Sequence, residues 1–353
     1  MKLTNKTVLI TGGTGSLGKT LTKRILTNEI GKPKKLIIFS RDEAKQHEMR
    51  LAYKNKTVAT DEIIYHNFEE LVEFRIGDVR DYHSIASAVK DADIIFNTAA
   101  LKQVPSCEYF PYEAVQTNIT GPENIIRAIR ENKLPVETVV GISTDKACKP
   151  VNVMGMTKAI QERVFITANL SCHNTRFICV RYGNVLASRG SVIPLFHSQI
   201  KAGGPITITT DDMTRFLLSL NDAVDVIFAA VREANRGETY IPIVPSAKIV
   251  DVANVLISRR KIKIKITGIR PGEKVHEILV SDEESYRTVL RNKYYAIKPI
   301  LPELVTHSEE KISLHKEYSS EDNVMNITDL EKLLKRQKLL VENNLETEVE
   351  LLR

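Results

Sequence analysis

The stretch Thr11-Gly12-Gly13-Thr14-Gly15-Ser16-Leu17-Gly18 decides the fold of this 353-residue chain. The apolar run Thr7–Thr11 precedes it, and the helix-forming stretch Ser16–Thr27 follows it. Gly12, Gly15 and Gly18 let the backbone approach a pyrophosphate. The free N–H groups of the helix's first turn supply donors and positive potential. In this strand–turn–helix setting the pattern predicts a dinucleotide site, with Thr14, Ser16 and Leu17 in the cradle.

Outward from that loop, short β-branched runs alternate with longer helical stretches. The strands are read at Thr7–Thr11, Lys35–Phe39, Glu73–Gly77, Asp93–Thr98, Thr138–Ser143 and Arg176–Arg181. The helices between them are Ser16–Thr27, Asp42–Lys54, Asp81–Lys90, Pro111–Glu131 and Val153–Asn169. Such alternation predicts an α/β fold, a Rossmann-type doubly wound parallel sheet with helices on both faces. After Tyr182 the texture changes, with turn clusters at Gly203-Gly204-Pro205 and Arg270-Pro271-Gly272. The expected division is a cofactor domain over 1–182 with a return segment near 221–243. A smaller mixed α/β substrate-binding part covers 183–220 and 244–305. A charged extension, 306–353, carries a helix at Asp329–Val341. Ile262–Ile269, alternating Ile and Lys, reads as a half-exposed strand.

Composition narrows the function. With 42% hydrophobic and 27% charged residues the chain is globular. No apolar run approaches the ~18 residues of a membrane span, and no signal-peptide pattern opens the sequence, so a cytoplasmic protein is expected. The net charge of +6 is dispersed rather than gathered in a stripe, which disfavours nucleic acid and suits an anionic small molecule. Four cysteines make no Cys-x-x-Cys pair and eight histidines no ligand spacing, so no metal is expected.

The second strand ends in Ser40-Arg41-Asp42-Glu43. An Arg there accepts the 2′-phosphate of NADP; NAD stays open if Asp42 reaches the ribose while Arg41 faces solvent. Asp78-Val79, ending the third strand, is placed for the adenine. Ala99 and Ala100, after the fourth, are small enough to flank a cofactor. Ser143-Thr144-Asp145-Lys146 closes the fifth strand at the carboxyl edge of the sheet, where open α/β folds place their chemistry. Asp and Lys side by side there form an acid/base pair.

Several further segments carry a resemblance: Ser-Arg-Asp-Glu (40–43), Ala-Leu-Lys-Gln-Val-Pro-Ser-Cys-Glu (100–108), Ser-Thr-Asp-Lys-Ala (143–147), Arg-Tyr-Gly-Asn-Val (181–185) and Arg-Pro-Gly-Glu-Lys-Val-His-Glu (270–277). With the glycine loop, they resemble the extended short-chain dehydrogenase/reductases over nearly the whole chain. Within these the chain is similar to the inverting UDP-N-acetylglucosamine 4,6-dehydratases. The superfamily's Tyr-x-x-x-Lys keeps its lysine as Lys158, but Met154 stands at the tyrosine. A thioether neither takes nor gives a proton. The Met replacement resembles the branch of capsule and O-antigen enzymes.

The resemblance implies a set of roles. Lys146 is the base at C5, with a pKa lowered by burial or a nearby cation. Asp145 is the acid for the C6 hydroxyl, and Thr144 bonds O4. Cys107 is either a second proton carrier or a small buried residue. Lys158 holds the nicotinamide ribose, and Lys102, Asn118 and Ser143 complete the cofactor set. Asn184, Arg189, Val192, Arg215, Arg270 and Glu273, with Lys102, grip the UDP-sugar. The implied product is UDP-2-acetamido-2,6-dideoxy-β-L-arabino-hex-4-ulose, and the implied assembly a homo-oligomer, a hexamer rather than a dimer. Two alternatives stand beside it: a UDP-hexose 4-epimerase, which Met154 disfavours, and an NADP-binding regulator without catalysis.

Overall fold

The first half of the chain builds strands separated by one or more helices, in a computed structural model that describes residues 2–54, 62–186, 191–305 and 310–341. In order these are β1 (Thr7–Thr11), α1 (Ser16–Leu26), β2 (Lys35–Ser40), α2 (Glu43–Lys54), α3 (Glu62–Leu71), β3 (Val72–Ile76), α4 (Tyr82–Val89) and β4 (Ile94–Asn97). Then come α5 (Val104–Tyr109), α6 (Pro111–Val115), α7 (Gly121–Glu131), β5 (Thr138–Ile142), α8 (Val153–Ser171) and β6 (Arg176–Val180). The continuous apolar strands fit their setting, because alternate residues feed two cores. Val8 and Ile10 face one side with Ile38, Phe96 and Val140; Leu9 faces the other with Ile37, Ile95 and Val139. Period-two alternation inside an all-apolar run is the signature of a strand buried on both faces.

The chain continues through α9 (Val192–Lys201), β7 (Ile206–Ile208), β8 (Thr214–Phe216), α10 (Leu220–Glu233), β9 (Thr239–Pro242), β10 (Ser246–Lys248), α11 (Ile249–Ile257) and β11 (Ile264–Ile266). It ends with β12 (Ile278–Val280), α12 (Asp282–Ser285), β13 (Thr288–Arg291), β14 (Tyr294–Ile297), β15 (Tyr318–Ser319) and α13 (Ile327–Arg336). The nine-stranded sheet runs β13-β14-β9-β6-β5-β4-β1-β2-β3. Its strands from β9 to β3 are parallel, and β14 and β13 are added antiparallel. The order reverses between β1 and β4, where Thr11 at the end of β1 pairs with Phe39 of β2 on one side and Asn97 of β4 on the other. That switch point opens the crevice in which such sheets bind ligands.

The structure corrects the sequence reading in several places. Helix α3 was not expected, and neither was α5 in the loop after β4. The helix read over Pro111–Glu131 is interrupted by a wider π turn at Gln116–Thr120. The hairpin β13–β14, read with the substrate-binding part, completes the large sheet instead. The final helix starts earlier than read, at Ile327, because Asn326 accepts a hydrogen bond from the Asp329 N–H and caps it. The return segment does join the main sheet, as α10 and β9. Residues 264–266 form a partly exposed strand paired to β7. A separate apolar core joins α9, α11 and α13 through Phe196, Ile200, Leu256, Leu330 and Leu334. Arg189 lies outside the described residues, as do 306–309 and 342–353.

Candidate active site

A continuous cleft of about 2440 Å3 runs along the carboxyl edge of the sheet. The β1–α1 turn forms its floor, with Gly12, Thr14, Gly15, Ser16, Leu17 and Gly18 all lining it. Gly12 has φ +65°, and a Cβ there would lie 2.8 Å from the Ala99 backbone. A Cβ on Gly18 would lie 2.5 Å from Gly13. Only glycine permits these approaches, so the turn and the strand end fold into a backbone cradle. Thr14 and Ser40 share a hydroxyl hydrogen bond of 2.9 Å across it. Helix α1 opens without a side-chain cap or an acidic residue in its first turn. Its N–H groups are therefore left for an anion. These residues fit a dinucleotide.

At the second strand, Asp42 turns into helix α2: its Oδ1 accepts the Lys45 N–H at 3.0 Å and its Oδ2 pairs with the Lys45 ammonium. Arg41 stays on the rim, 58% exposed and 3.7 Å from Asp78. Burial would raise the Asp78 carboxyl, but Arg80, bonding it through Nε at 2.9 Å, holds it below the ordinary range. Val79, Ala99, Ala100, Lys102 and Ser143 line the cleft. Lys158 donates to the Ile142 carbonyl and to Gln161 Oε1, and burial lowers its pKa to about 8. Asn118 is a correction. It is fully buried in the π turn, bonded to both backbone groups of Leu101 and to Thr157. It clamps the loop after β4 from behind and does not line the cleft.

The chemistry-bearing turn follows β5. Thr144 donates to Asp145 Oδ1 at 2.9 Å and lines the cleft above it. Lys146 Nζ donates to three acceptors, each at 3.1 Å: Asp145 Oδ1, Asn184 Oδ1 and Glu277 Oε1. All three protons of an ammonium are thereby used. Asp145, beneath Thr144 and Lys146 rather than on the cleft wall, is 0% exposed, and Glu277, which lines the cleft, is 2% exposed. Each keeps one buried carboxylate oxygen, Asp145 Oδ2 and Glu277 Oε2, without a hydrogen-bond partner among the described residues. Burial raises the Asp145 pKa, with Glu277 adding to it against Lys146. Burial would lift Glu277 too, but Lys146 and Arg215 bring it below its usual range. Lys146 departs from expectation. Burial acts to lower its pKa, yet the two carboxylates win and raise it.

Met154 lines the cleft where the superfamily has its tyrosine, packed with Cys107, Ala114 and Val104. Cys107 itself is fully buried off the cleft, facing the Leu101 carbonyl at 3.7 Å, and burial raises its thiol to about 11. It is a packing residue, not a proton carrier. Arg215, read as a UDP contact, is largely committed elsewhere. Its guanidinium donates to the carbonyls of Thr214, Val275 and Lys274 and sits 3.7 Å from Glu277. Asn184 lines the cleft, but its carbonyl oxygen belongs to Lys146. Arg270, Glu273 and Val192 line the wide half of the cleft, with the Arg270 guanidinium 59% exposed. The sequence reading missed Glu277, although it closes the quoted motif 270–277, and missed Tyr182 on the cleft wall.

A family model described as "Polysaccharide biosynthesis protein" matches residues 8–299. A UDP-glucose 4-epimerase of Rickettsia bellii is 43% identical over 94% of this chain and 95% of its own length. An inverting UDP-N-acetylglucosamine 4,6-dehydratase of Campylobacter jejuni is 44% identical over 83% of each. Among solved structures, Pen from Bacillus thuringiensis superposes with a TM-score of 0.85 at 36% identity, covering 96% of this chain and all of that one. A dTDP-glucose 4,6-dehydratase from Streptomyces venezuelae, solved with NAD, shares the fold at a TM-score of 0.63 and 17% identity, over 76% of this chain and 86% of its own.

Proposed function

Since the chain belongs to the polysaccharide biosynthesis protein family, nucleotide-sugar dehydratases and epimerases of the extended short-chain dehydrogenase/reductase fold, we propose that it is a UDP-N-acetylglucosamine 4,6-dehydratase that inverts C5. The observation that carries this reading is the buried Asp145–Lys146 pair at the sheet edge beside Met154. The site supplies an acid and a base, and Met154 stands where a superfamily tyrosine would serve a simple C4 proton shuttle. Arg41 on the rim, with the Asp42 carboxylate engaged by the N–H and ammonium of Lys45, favours NADP over NAD. A bound nicotinamide dinucleotide supplies a store for the hydride taken from C4 and given back at C6.

The residues divide the remaining work. Thr144, turning its one hydroxyl proton from Asp145 Oδ1 to O4, polarises the 4-ketone, which acidifies C5–H. As a charged pair, Asp145 and Lys146 are costly to bury. Passing one proton from Lys146 to Asp145 yields an amine and a carboxylic acid, the forms an elimination requires. The amine takes the C5 proton, the C5–H electrons form the C5–C6 double bond, and O6 departs as water with the Asp145 proton. Lys146 ends as ammonium and Asp145 as carboxylate. Saturation of that double bond, by the stored hydride at C6 and a solvent-derived proton added to C5 from the face opposite the one deprotonated, gives the 4-keto-6-deoxy sugar with L configuration. Arg270 and Glu273, with Val192 at the start of α9, border the UDP pocket.

The protein works as a homo-oligomer. Tyr109, Phe110, Tyr112, Met156 and Ile160 form an exposed apolar face on α5, α6 and α8 that a second copy covers. The proposal includes action in the cytoplasm; among the described residues no helix is long and apolar enough to cross a membrane. The test is turnover of UDP-N-acetylglucosamine in D2O. A product lighter by one water and deuterated at C5 is expected. The epimerase reading draws on the Rickettsia relative, which covers more of the chain, and an isomer of unchanged mass establishes it. Tight cofactor binding without turnover establishes the regulator.

A further inference from the structure

Glu277 sits on the segment between Arg270 and β12, far along the chain from the β5 turn, yet its Oε1 meets Lys146 Nζ at 3.1 Å. It lines the cleft and is buried. A purely structural carboxylate at this depth fills both oxygens. Glu277 does not: Arg215 stands 3.7 Å from Oε1, beyond hydrogen-bond reach, and Oε2 has no partner among the described residues. We infer that Glu277 is a positioning residue of the reaction: it fixes the Lys146 amine against the sugar and holds the proton that Lys146 takes from it. Resting on the dehydratase reading, this assigns a role to a residue that reading leaves unused.

The geometry explains why two carboxylates are needed. Asp145 must lose its negative charge to act as the acid, and at that moment it stops stabilising an ammonium. Glu277 keeps its charge throughout, so Lys146 has a fixed anionic partner before and after proton transfer. The charged groups around Lys146 are Asp145 on its own turn, Glu277, Arg215 on β8 and Lys274. The two cations oppose the carboxylates, so removing one carboxylate tips the balance toward the free amine.

The test uses the cofactor-loaded enzyme with Glu277→Gln and Glu277→Asp. Carbamylation of Lys146 by cyanate, mapped by peptide mass spectrometry across pH, reads the free-amine fraction without requiring turnover. Glu277→Gln is expected to raise that rate about tenfold near neutral pH, as one pKa unit gives. Its kcat for UDP-N-acetylglucosamine falls about 10- to 100-fold with KM little changed, since positioning acts on the transition state. Glu277→Asp keeps the charge but withdraws it, so carbamylation stays near wild type while kcat still falls. Wild-type carbamylation in Glu277→Gln, or wild-type kcat in Glu277→Asp, overturns the inference. An isomer without C5 deuterium from the wild-type enzyme sinks the dehydratase reading alone, and the cyanate result still decides the coupling.

Discussion

Two buried clusters, each a cation between two carboxylates, lie a few residues apart along the same sheet edge, and they differ in one respect. In the first, Arg181 joins Glu162 on α8 to Glu284 on α12. Its five N–H groups are all spent, on both carboxylates and the Leu279 carbonyl. In the second, Lys146 joins Asp145 to Glu277, and each carboxylate keeps an orphan oxygen. The saturated cluster sits away from the cleft and ties β6, α8 and α12 together. The unsaturated one opens onto it through Lys146 and Glu277. Buried charge with every valence filled is structure; buried charge left short of partners is capacity for chemistry.

The widest separation between the two comes from neutralising one carboxylate. Asp145→Asn is expected to lower kcat by about 100- to 10,000-fold, the range of a lost general acid. Its melting temperature should hold or rise, because a carboxyl of raised pKa costs stability when it ionises. A fall in stability together with full activity breaks the comparison. Arg181→Met should do the reverse. Two buried carboxylates lose their partner, at a cost of about 3–5 kcal/mol in denaturant unfolding.

Acid titration sharpens the contrast further. Burial would raise Glu284, but Arg181 overrides it and lowers its pKa from 4.5 to about 2. Its stabilisation is full above about pH 4.5 and disappears as pH falls toward 2, a loss of about 3 kcal/mol at most. Asp145 moves oppositely: its folded pKa lies above 3.8, so protonation there relieves a cost. Comparing the acid limbs of wild type, Glu284→Gln and Asp145→Asn should therefore flatten the curve in one variant and steepen it in the other. The smallest effect belongs to Cys148, whose thiol adds a weak 3.8 Å contact to Glu284. Cys148→Ala should cost about 1 kcal/mol and leave kcat unchanged. A large loss of activity there means that the saturated cluster also serves the reaction.

The sequence made the sheet legible because its strands are unbroken apolar runs such as Leu36-Ile37-Ile38. It made the cofactor turn legible because glycines at Gly12 and Gly18 are forced by close backbone approach. Helix α3 escaped notice because its apolar face rests on few residues, Ile64, Phe68 and Leu71. The catalytic turn was legible in residue type and misread in electrostatics. Nothing near Lys146 in sequence announces Glu277, and its charge reverses the direction expected for the lysine. Residue type also says nothing of direction, so Asn118 was read toward the cleft and points away from it, and of the two readings open for Cys107 the buried one fits its position. Arg215 reaches the cleft wall, yet backbone carbonyls take most of its donors.

The cleft draws its walls from distant parts of the polypeptide: Gly12 and Ser16 at one end, and Gln337, Lys338 and Leu339 just past α13 at the other. The Leu339 carbonyl bonds the His197 ring at 2.8 Å, and Leu330 and Leu334 pack into the core beneath. During synthesis, the glycine cradle and its strands emerge early and can fold on the ribosome. The wide half of the cleft cannot take its final shape until the residues around Leu339 have been translated and have docked, so a truncated translation product keeps the cradle without a finished chamber for the second ligand.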